Sequence, residues 1–204
     1  SYTINEILGS GGFGDVYKVG IRENSNAETL HKYVRIQKCK VLENLRIRKK
    51  RIKALKTKQK IFVKRYIILI IGRNDKFKFI VMELVGVSIQ ELRMNFFGEF
   101  LPETVLHIAV QTLDAVRDLH AIGFIHRDLK PANFAIGLPP RQGIIFMLDF
   151  GIARRYLDED GKLRPKRRNI PFMATMRFCS RAAHRGDEQG RQDDLESWVY
   201  MILE

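Results

Sequence analysis

Hydrophobic periodicity divides the chain in two. "SYTINEIL" (residues 1–8) reads as a strand, and after a glycine cluster "DVYKVG" (15–20) alternates apolar and polar positions as a second strand does. "YIILIIG" (66–72) is the longest apolar run, far short of the roughly 20 residues that cross a bilayer, and is predicted to be a buried strand. "KFKFIVMELVG" (76–86) alternates and then becomes continuously apolar, the pattern of a half-buried strand. From Pro102 the period becomes helical. Val105, Leu106, Ala109, Val110, Leu113, Val116 and Leu119 recur at three- and four-residue steps, with Pro102 near the start and Gly123 at the end. Leu113 and Val116 are expected in the core. "GIIFMLDFG" (143–151) reads as a further short strand and "DDLESWVYMILE" (193–204) as a helix reaching the last residue. The pattern is α+β, β-rich first and helical second, with a break near "LVGVS" (84–88).

Charge alters this picture in one place. The chain has 204 residues, enough for one sizeable domain or two small lobes, and a formal net charge of +13. Between Lys32 and Arg65 stand 15 lysines and arginines against one acid, Glu43; the rest of the chain holds 21 bases and 22 acids. The excess is therefore local. A nucleic-acid arm is one reading of it, since such a run could contact several phosphates. However, "RIRKKRIKALKTKQKIFVKRY" (46–66) lacks helix caps, and its only aromatics are Phe62 and Tyr66, a poor basis for base stacking. Nucleic acid is accordingly not expected as the main partner. Cys39 and Cys179 show neither metal-ligand spacing nor a disulfide framework, which points to a reducing compartment. No signal peptide is visible at Ser1 and no membrane partner is expected; the cytoplasm, with the nucleus as an alternative, is the expected location.

Three motifs carry chemistry. In "GSGGFGDV", Gly9, Gly11, Gly14 and Val16 fit a pattern whose glycines let backbone approach phosphate, while the valine can cover an apolar base. A dinucleotide fold would need a helix directly after the glycines; here a strand follows, which favours a flap over a nucleotide. In "HRDLKPAN" (126–133), Asp128 is placed to take the proton of an attacking hydroxyl. Lys130 is placed to neutralise a γ-phosphate and Asn133 to ligate Mg²⁺. In "DFG", Asp149 is a second Mg²⁺ ligand, following an apolar strand 21 residues beyond Asp128.

With these motifs in order, the sequence resembles the eukaryotic protein kinases and, more narrowly, the casein kinase 1 superfamily, especially its tau-tubulin-kinase-like branch. "RNDKFKFIVMELVG", "GFIHRDLKPANFAIG", "FMLDFGIAR" and "GRQDDLESWVYMILE" carry the likeness, and "ATMRFCSRAAH" (174–184) resembles the family's G-T-x-R-[YF]-x-S-x-x-x-H pattern in place of A-P-E. The resemblance implies a two-lobed Ser/Thr kinase using ATP and Mg²⁺. A small β-rich N-lobe would span 1–85, with the basic segment at 32–65. A mainly α-helical C-lobe would span 86–204, incomplete because the chain stops in a segment resembling helix F. It further implies Met82 as gatekeeper, Glu83 and Val85 as hinge residues meeting adenine, and Thr175 as a structural threonine. Asp194 would hold the catalytic-loop backbone, and Arg177 would favour acidic or already phosphorylated protein substrates. A monomer is expected.

Two features depart from the family. Its third-strand lysine and partner glutamate should fall between Gly20 and Asp75. Lys38 has a plausible distance to the hinge, Lys56 sits in an A-x-K pattern, and a third alignment puts Lys38 where the glutamate belongs; these placements are mutually incompatible, and Glu43 lies too close to Lys38. A scaffold with impaired catalysis is therefore the alternative to an active enzyme. Separately, the segment between Gly151 and Ala174 contains no Ser or Thr, and Tyr156 is its only hydroxyl-bearing residue. Its order is expected to need no Ser/Thr phosphorylation there. Lys162, Arg164, Lys166, Arg167 and Arg168 read either as a dock for acidic substrate or as a solvated loop. His107, His120 and His184 read as structural.

Overall fold

The computed structural model describes residues 84–204 in full and, before them, the backbone of strands over 2–11, 14–21, 31–37, 68–73 and 78–83. Lys38, Cys39, Glu43, Lys56 and the body of the basic run lie outside the described residues. The chain forms two compact units, Ser1–Leu84 and Val85–Glu204.

The first unit contains one antiparallel sheet: β1 (Tyr2–Gly11), β2 (Gly14–Ile21), β3 (His31–Gln37), β4 (Ile68–Arg73) and β5 (Lys78–Glu83), in the order β1-β2-β3-β5-β4. β1 and β2 pair with Gly9 opposite Val16 and Gly11 opposite Gly14, so the glycine motif forms the closed end of this hairpin. β3 was not legible in the apolar pattern, because its residues "HKYVRIQ" open the basic segment. It pairs with β2 (Val16 opposite Arg35, Gly14 opposite Gln37) and with β5 (Tyr33 opposite Met82).

In the second unit, α1 (Ile89–Asn95) starts at a capping box. The Ser88 hydroxyl accepts the Glu91 N–H at 3.1 Å, and the Glu91 carboxylate accepts the Ser88 N–H at 2.8 Å. α2 (Pro102–Ala121) begins with proline at its first position, where no N–H is needed, and ends before Gly123, whose φ of 83° is one that glycine adopts without strain. Short pieces follow: β6 (Phe124–Ile125), a 3₁₀ turn (Pro131–Asn133), β7 (Phe134–Ile136), β8 (Ile145–Met147), β9 (Arg154–Arg155), α3 (Arg181–His184) and the longer α4 (Arg191–Leu203). β6 pairs with β9 and β7 with β8.

The buried stripe of α2 is Ile108, Ala109, Thr112, Ala115, Val116 and Leu119, and it packs on α4, β6 and β8. This corrects the expectation for Leu113 alone. Val116 is fully buried, but Leu106 (66%), Val110 (63%) and Leu113 (38%) are exposed. The helix carries apolar residues on two faces, and the buried one is chosen by its small residues, which admit α4 closely enough for the Trp198 Nε1–H to donate to Thr112 Oγ1 at 2.9 Å. Phe124, Ile125, Leu129, Phe134 and Met147 fill the centre. Burial sets the expected cost of truncation. Phe134→Ala should destabilise the unit by about 3–5 kcal/mol, whereas Leu106→Ala should stay within about 0.5 kcal/mol; urea unfolding of the two variants makes the comparison.

Candidate active site

β6 feeds the loop His126–Lys130, and the turn Pro131–Asn133 carries the chain into β7. Two ribbons fix this loop from opposite ends. Ile125 pairs with Arg154 ahead of it, and Phe134 pairs with Met147 behind it. The Leu148 N–H then donates to the Asn133 carbonyl at 2.8 Å, which puts Asp149 one residue from the cross-strand partner of Asn133. The two residues read from sequence as metal ligands are thus neighbours through backbone pairing.

Arg127 (φ 72°) and Asp149 (φ 54°) both adopt the left-handed region, a strained conformation for non-glycine residues that persists where the surroundings over-determine it. At Arg127 the determinant is Asp194, only 1% exposed. Its carboxylate accepts the backbone N–H of His126 and that of Arg127, each at 2.8 Å. It also accepts from His120 Nε2 at 2.8 Å. Sequence reasoning placed Asp194 in this role by resemblance but assigned none to His120, whose partner lies 74 residues away. His126 Nε2 donates to the Leu148 carbonyl at 3.0 Å, so its Nδ1 is the acceptor for the Asp128 N–H at 3.3 Å.

Asp128 itself is buried and fully engaged. Thr175 donates to its Oδ1 through both N–H (3.0 Å) and Oγ–H (2.6 Å), and on Oδ2 it meets Lys130 Nζ at 3.0 Å and the Asn133 amide at 3.1 Å. Lys130 also donates to Thr175 Oγ1 at 2.6 Å. Burial opposes ionisation of Asp128, but the Thr175 and Lys130 hydrogen bonds outweigh it and hold the carboxyl below the ordinary aspartate value. The carboxylate is therefore ionised at neutral pH, as a proton acceptor must be. Asn133 Nδ2 also donates to the Asp128 carbonyl at 2.8 Å, which leaves its amide oxygen as the ligand atom. Asn133 and Asp149 together offer hard oxygen donors from one amide and one carboxylate. That set suits Mg²⁺, which takes one or two protein ligands and completes its shell with phosphate and water.

A family model for the protein kinase domain matches residues 2–183. The chain belongs to the protein kinase family. A Caenorhabditis elegans protein named as a serine/threonine-protein kinase is 45% identical over 134 residues, 65% of this chain and 40% of the relative. A Dictyostelium discoideum protein named as a serine/threonine-protein kinase is 34% identical over 205 residues, all of this chain and 40% of the relative. A second C. elegans protein, named as a casein kinase I, is 33% identical over 205 residues, all of this chain and 59% of the relative. The kinase chain thus spans 40% of the length of the first of these relatives. The family uses ATP and typically Mg²⁺, and among the described residues no helix is long and apolar enough to cross a membrane.

The remaining sequence-derived residues of this kinase chain fall as follows. Gly9, Gly11, Gly14 and Val16 lie on β1 and β2, Met82 and Glu83 on β5, and Val85 begins the second unit. Arg177, 69% exposed, places Nη2 at 2.7 Å from Glu204 Oε1, an oxygen that also receives Arg93 Nη1 at 2.8 Å. Arg177 and Arg93 thus share one carboxylate. Cys179 is a buried thiol 3.2 Å from His184 Nε2, pushed up in pKa by burial.

Because the folded-state pKa of Asp128 is depressed, its network adds stability above the ordinary aspartate value and loses it as pH falls through the folded value. Thr175→Ala removes the hydroxyl donor at 2.6 Å. The Asp128 carboxyl should then titrate at higher pH, by at least about one unit (~1.4 kcal/mol) if the bond is worth what charge-assisted bonds usually are. A ¹³C carboxyl titration reads this directly, and an unmoved curve would remove Thr175 from the set that tunes Asp128.

Proposed function

We propose that this chain is the catalytic module of an ATP- and Mg²⁺-dependent protein serine/threonine kinase of the casein kinase 1 superfamily, on its tau-tubulin-kinase-like branch, acting on acidic or phospho-primed proteins. The observation that carries the reading is the state of Asp128: buried, ionised, and held by Thr175 and Lys130 beside the oxygen donors Asn133 and Asp149. Mg²⁺-ATP, when bound, supplies the phosphoryl group and neutralises the charge of its oxygens. The protein's own share is positional. Asp128 Oδ2 accepts the substrate hydroxyl proton, Lys130 stays beside that carboxylate to meet the phosphoryl oxygens, and Thr175 keeps Oδ1 from rotating. Gly9, Gly11, Gly14 and Val16 would contact the nucleotide from the β1–β2 hairpin, with Met82, Glu83 and Val85 bordering its base. Arg177, an exposed guanidinium, supports a preference for negative charge near the target residue. The exposed cations of 162–168 add to the same field. The printed name of one relative, casein kinase I, agrees with the subfamily.

A scaffold reading is kept because of β3. Its cations are Lys32 and Arg35, and the residue opposite Gly14 is Gln37, so no lysine of the described strand pairs with the glycine motif. Transfer of ³²P from γ-labelled ATP to acidic, phospho-primed and neutral peptides separates the readings. The kinase reading expects incorporation with Mg²⁺ that Asp128→Asn abolishes by at least about a hundredfold, the scale of a lost general base. It also expects Arg177→Ala to raise KM for the acidic peptides more than for the neutral one. Nucleotide binding without any transfer would establish the scaffold.

A further inference from the structure

The segment between Gly151 and Ala174 has no Ser or Thr, yet three arginines converge beside the catalytic loop: Arg127 within it, Arg154 on β9 and Arg167 farther along the segment. In proteins switched by phosphorylation such a cluster gathers around an added phosphate, which orders the segment. Here the anion is already present. Glu188, in the connection before α4, is only 11% exposed and accepts a two-pronged bond from Arg167, Nε to Oε2 at 2.7 Å and Nη2 to Oε1 at 3.0 Å. The Arg167 backbone N–H adds a third bond at 3.1 Å, and Arg154 Nε stands 3.4 Å from Oε1.

The need for an anion is visible in the guanidiniums. Burial, followed by repulsion from Arg167 and Arg154, pulls Arg127 down to about 10, and Glu188 is the first-ranked opposing charge. Arg127 cannot relax away, since its Nε and Nη2 both donate to the Ile152 carbonyl. The Arg154 backbone is held by pairing with Ile125 at the entry to the catalytic loop, and its guanidinium stands beside Glu188. Conversely, burial would raise Glu188, and the Arg167 bonds overcome it and keep the carboxyl ionised.

We propose that Glu188 is a positioning residue for phosphoryl transfer, a built-in carboxylate that stands where a regulatory phosphate would and holds Arg154 and Arg167 around Arg127. It thereby pins the segment at both ends. Arg154 fixes the start against the catalytic loop, and Arg167 fixes the stretch that leads to Thr175, whose N–H and hydroxyl grip Asp128. The inference rests on the kinase reading for its catalytic half alone; its structural half concerns the order of the segment.

The test uses the whole chain, the variants Glu188→Ala, Glu188→Gln and Arg167→Ala, and inorganic sulfate as a free anion. Tryptic cleavage after Lys162 or Lys166 reports order without reference to activity. Glu188→Ala should be cut at least about tenfold faster than wild type, equivalent to ~1.4 kcal/mol of lost local stability. Sulfate should slow that cleavage while leaving wild type and Arg167→Ala unaffected; general salt stabilisation would slow all three. In the transfer assay, kcat should fall about tenfold with KM for ATP within twofold, and sulfate should restore it. Glu188→Gln keeps the volume and one acceptor and should fall between. Wild-type cleavage in Glu188→Ala and Glu188→Gln overturns the proposal, as does loss of order that sulfate does not repair. Cleavage that responds as expected in a chain without transfer activity retains the structural half and refutes the kinase reading instead. Should Glu188→Ala fail to fold, as circular dichroism would show, Glu188→Gln and Arg167→Ala decide: cleavage at the wild-type rate in both overturns it.

Discussion

The second unit depends on one buried carboxylate. Asp194 is almost wholly out of water, an expensive place for a charge unless several donors meet it. They do: two backbone amides of the catalytic loop and one imidazole from α2. Those two amides are consecutive, so both can point at one carboxylate only if the loop turns sharply between them, and Arg127 takes a positive φ as a result. Once that turn is fixed, Asp128 must project beside Thr175 and Lys130. The placement of Asp128 therefore depends on a residue of α4 that is remote in sequence.

The same arrangement sets the electrostatics around the loop. Asp128 and Asp194 are both buried acids, one on the loop and one on α4, but they are satisfied differently. Asp194 faces backbone amides and an imidazole, fixed dipoles that cannot leave. Asp128 faces one backbone amide, that of Thr175, but its other donors, a hydroxyl, an ammonium and a carboxamide, are on side chains, which can exchange partners. An acceptor that exchanges partners readily is what a proton-accepting role needs, and one that cannot is what a scaffold needs. Glu188 belongs with the second kind. Its bonds to Arg167 use both carboxylate oxygens and a backbone N–H, a set that a mobile surface pair would not assemble.

Legibility in the sequence followed the range of each constraint. The residues of "HRDLKPAN" and "DFG" stood out because the chemistry demands particular side chains at fixed short spacing. α2 and α4 were readable because their apolar period runs over many turns. Leu113 was expected in the core and is exposed, since Leu106, Val110 and Leu113 recur as regularly as the buried residues, and the packing of α4, seen in the Trp198–Thr112 bond, selects between the two stripes. The ribbons β6–β9 and β7–β8 have strands of two or three residues, too short to show a period. The Ser88 and Glu91 capping box was in plain view as a local signal, but α1 behind it is a single short helix with one buried residue. His120 with Asp194, and Arg167 with Glu188, are pairs separated by 74 and 21 residues, and nothing local announces them.

The first unit states its own constraint through register. Directly opposed residues of an antiparallel pair share a face of the sheet, and faces alternate along each strand. Val16 opposes Arg35, and Val19 opposes Lys32, three positions on. Arginine holds phosphate through a planar fork where lysine presents a point charge, so the two are not equivalent at a close phosphate contact. The described strand sets Arg35, and no lysine, opposite the glycine motif, while Lys38 and Lys56 lie outside the described residues. Around Asp128, by contrast, Thr175, Lys130 and Asn133 are already in contact with the carboxylate.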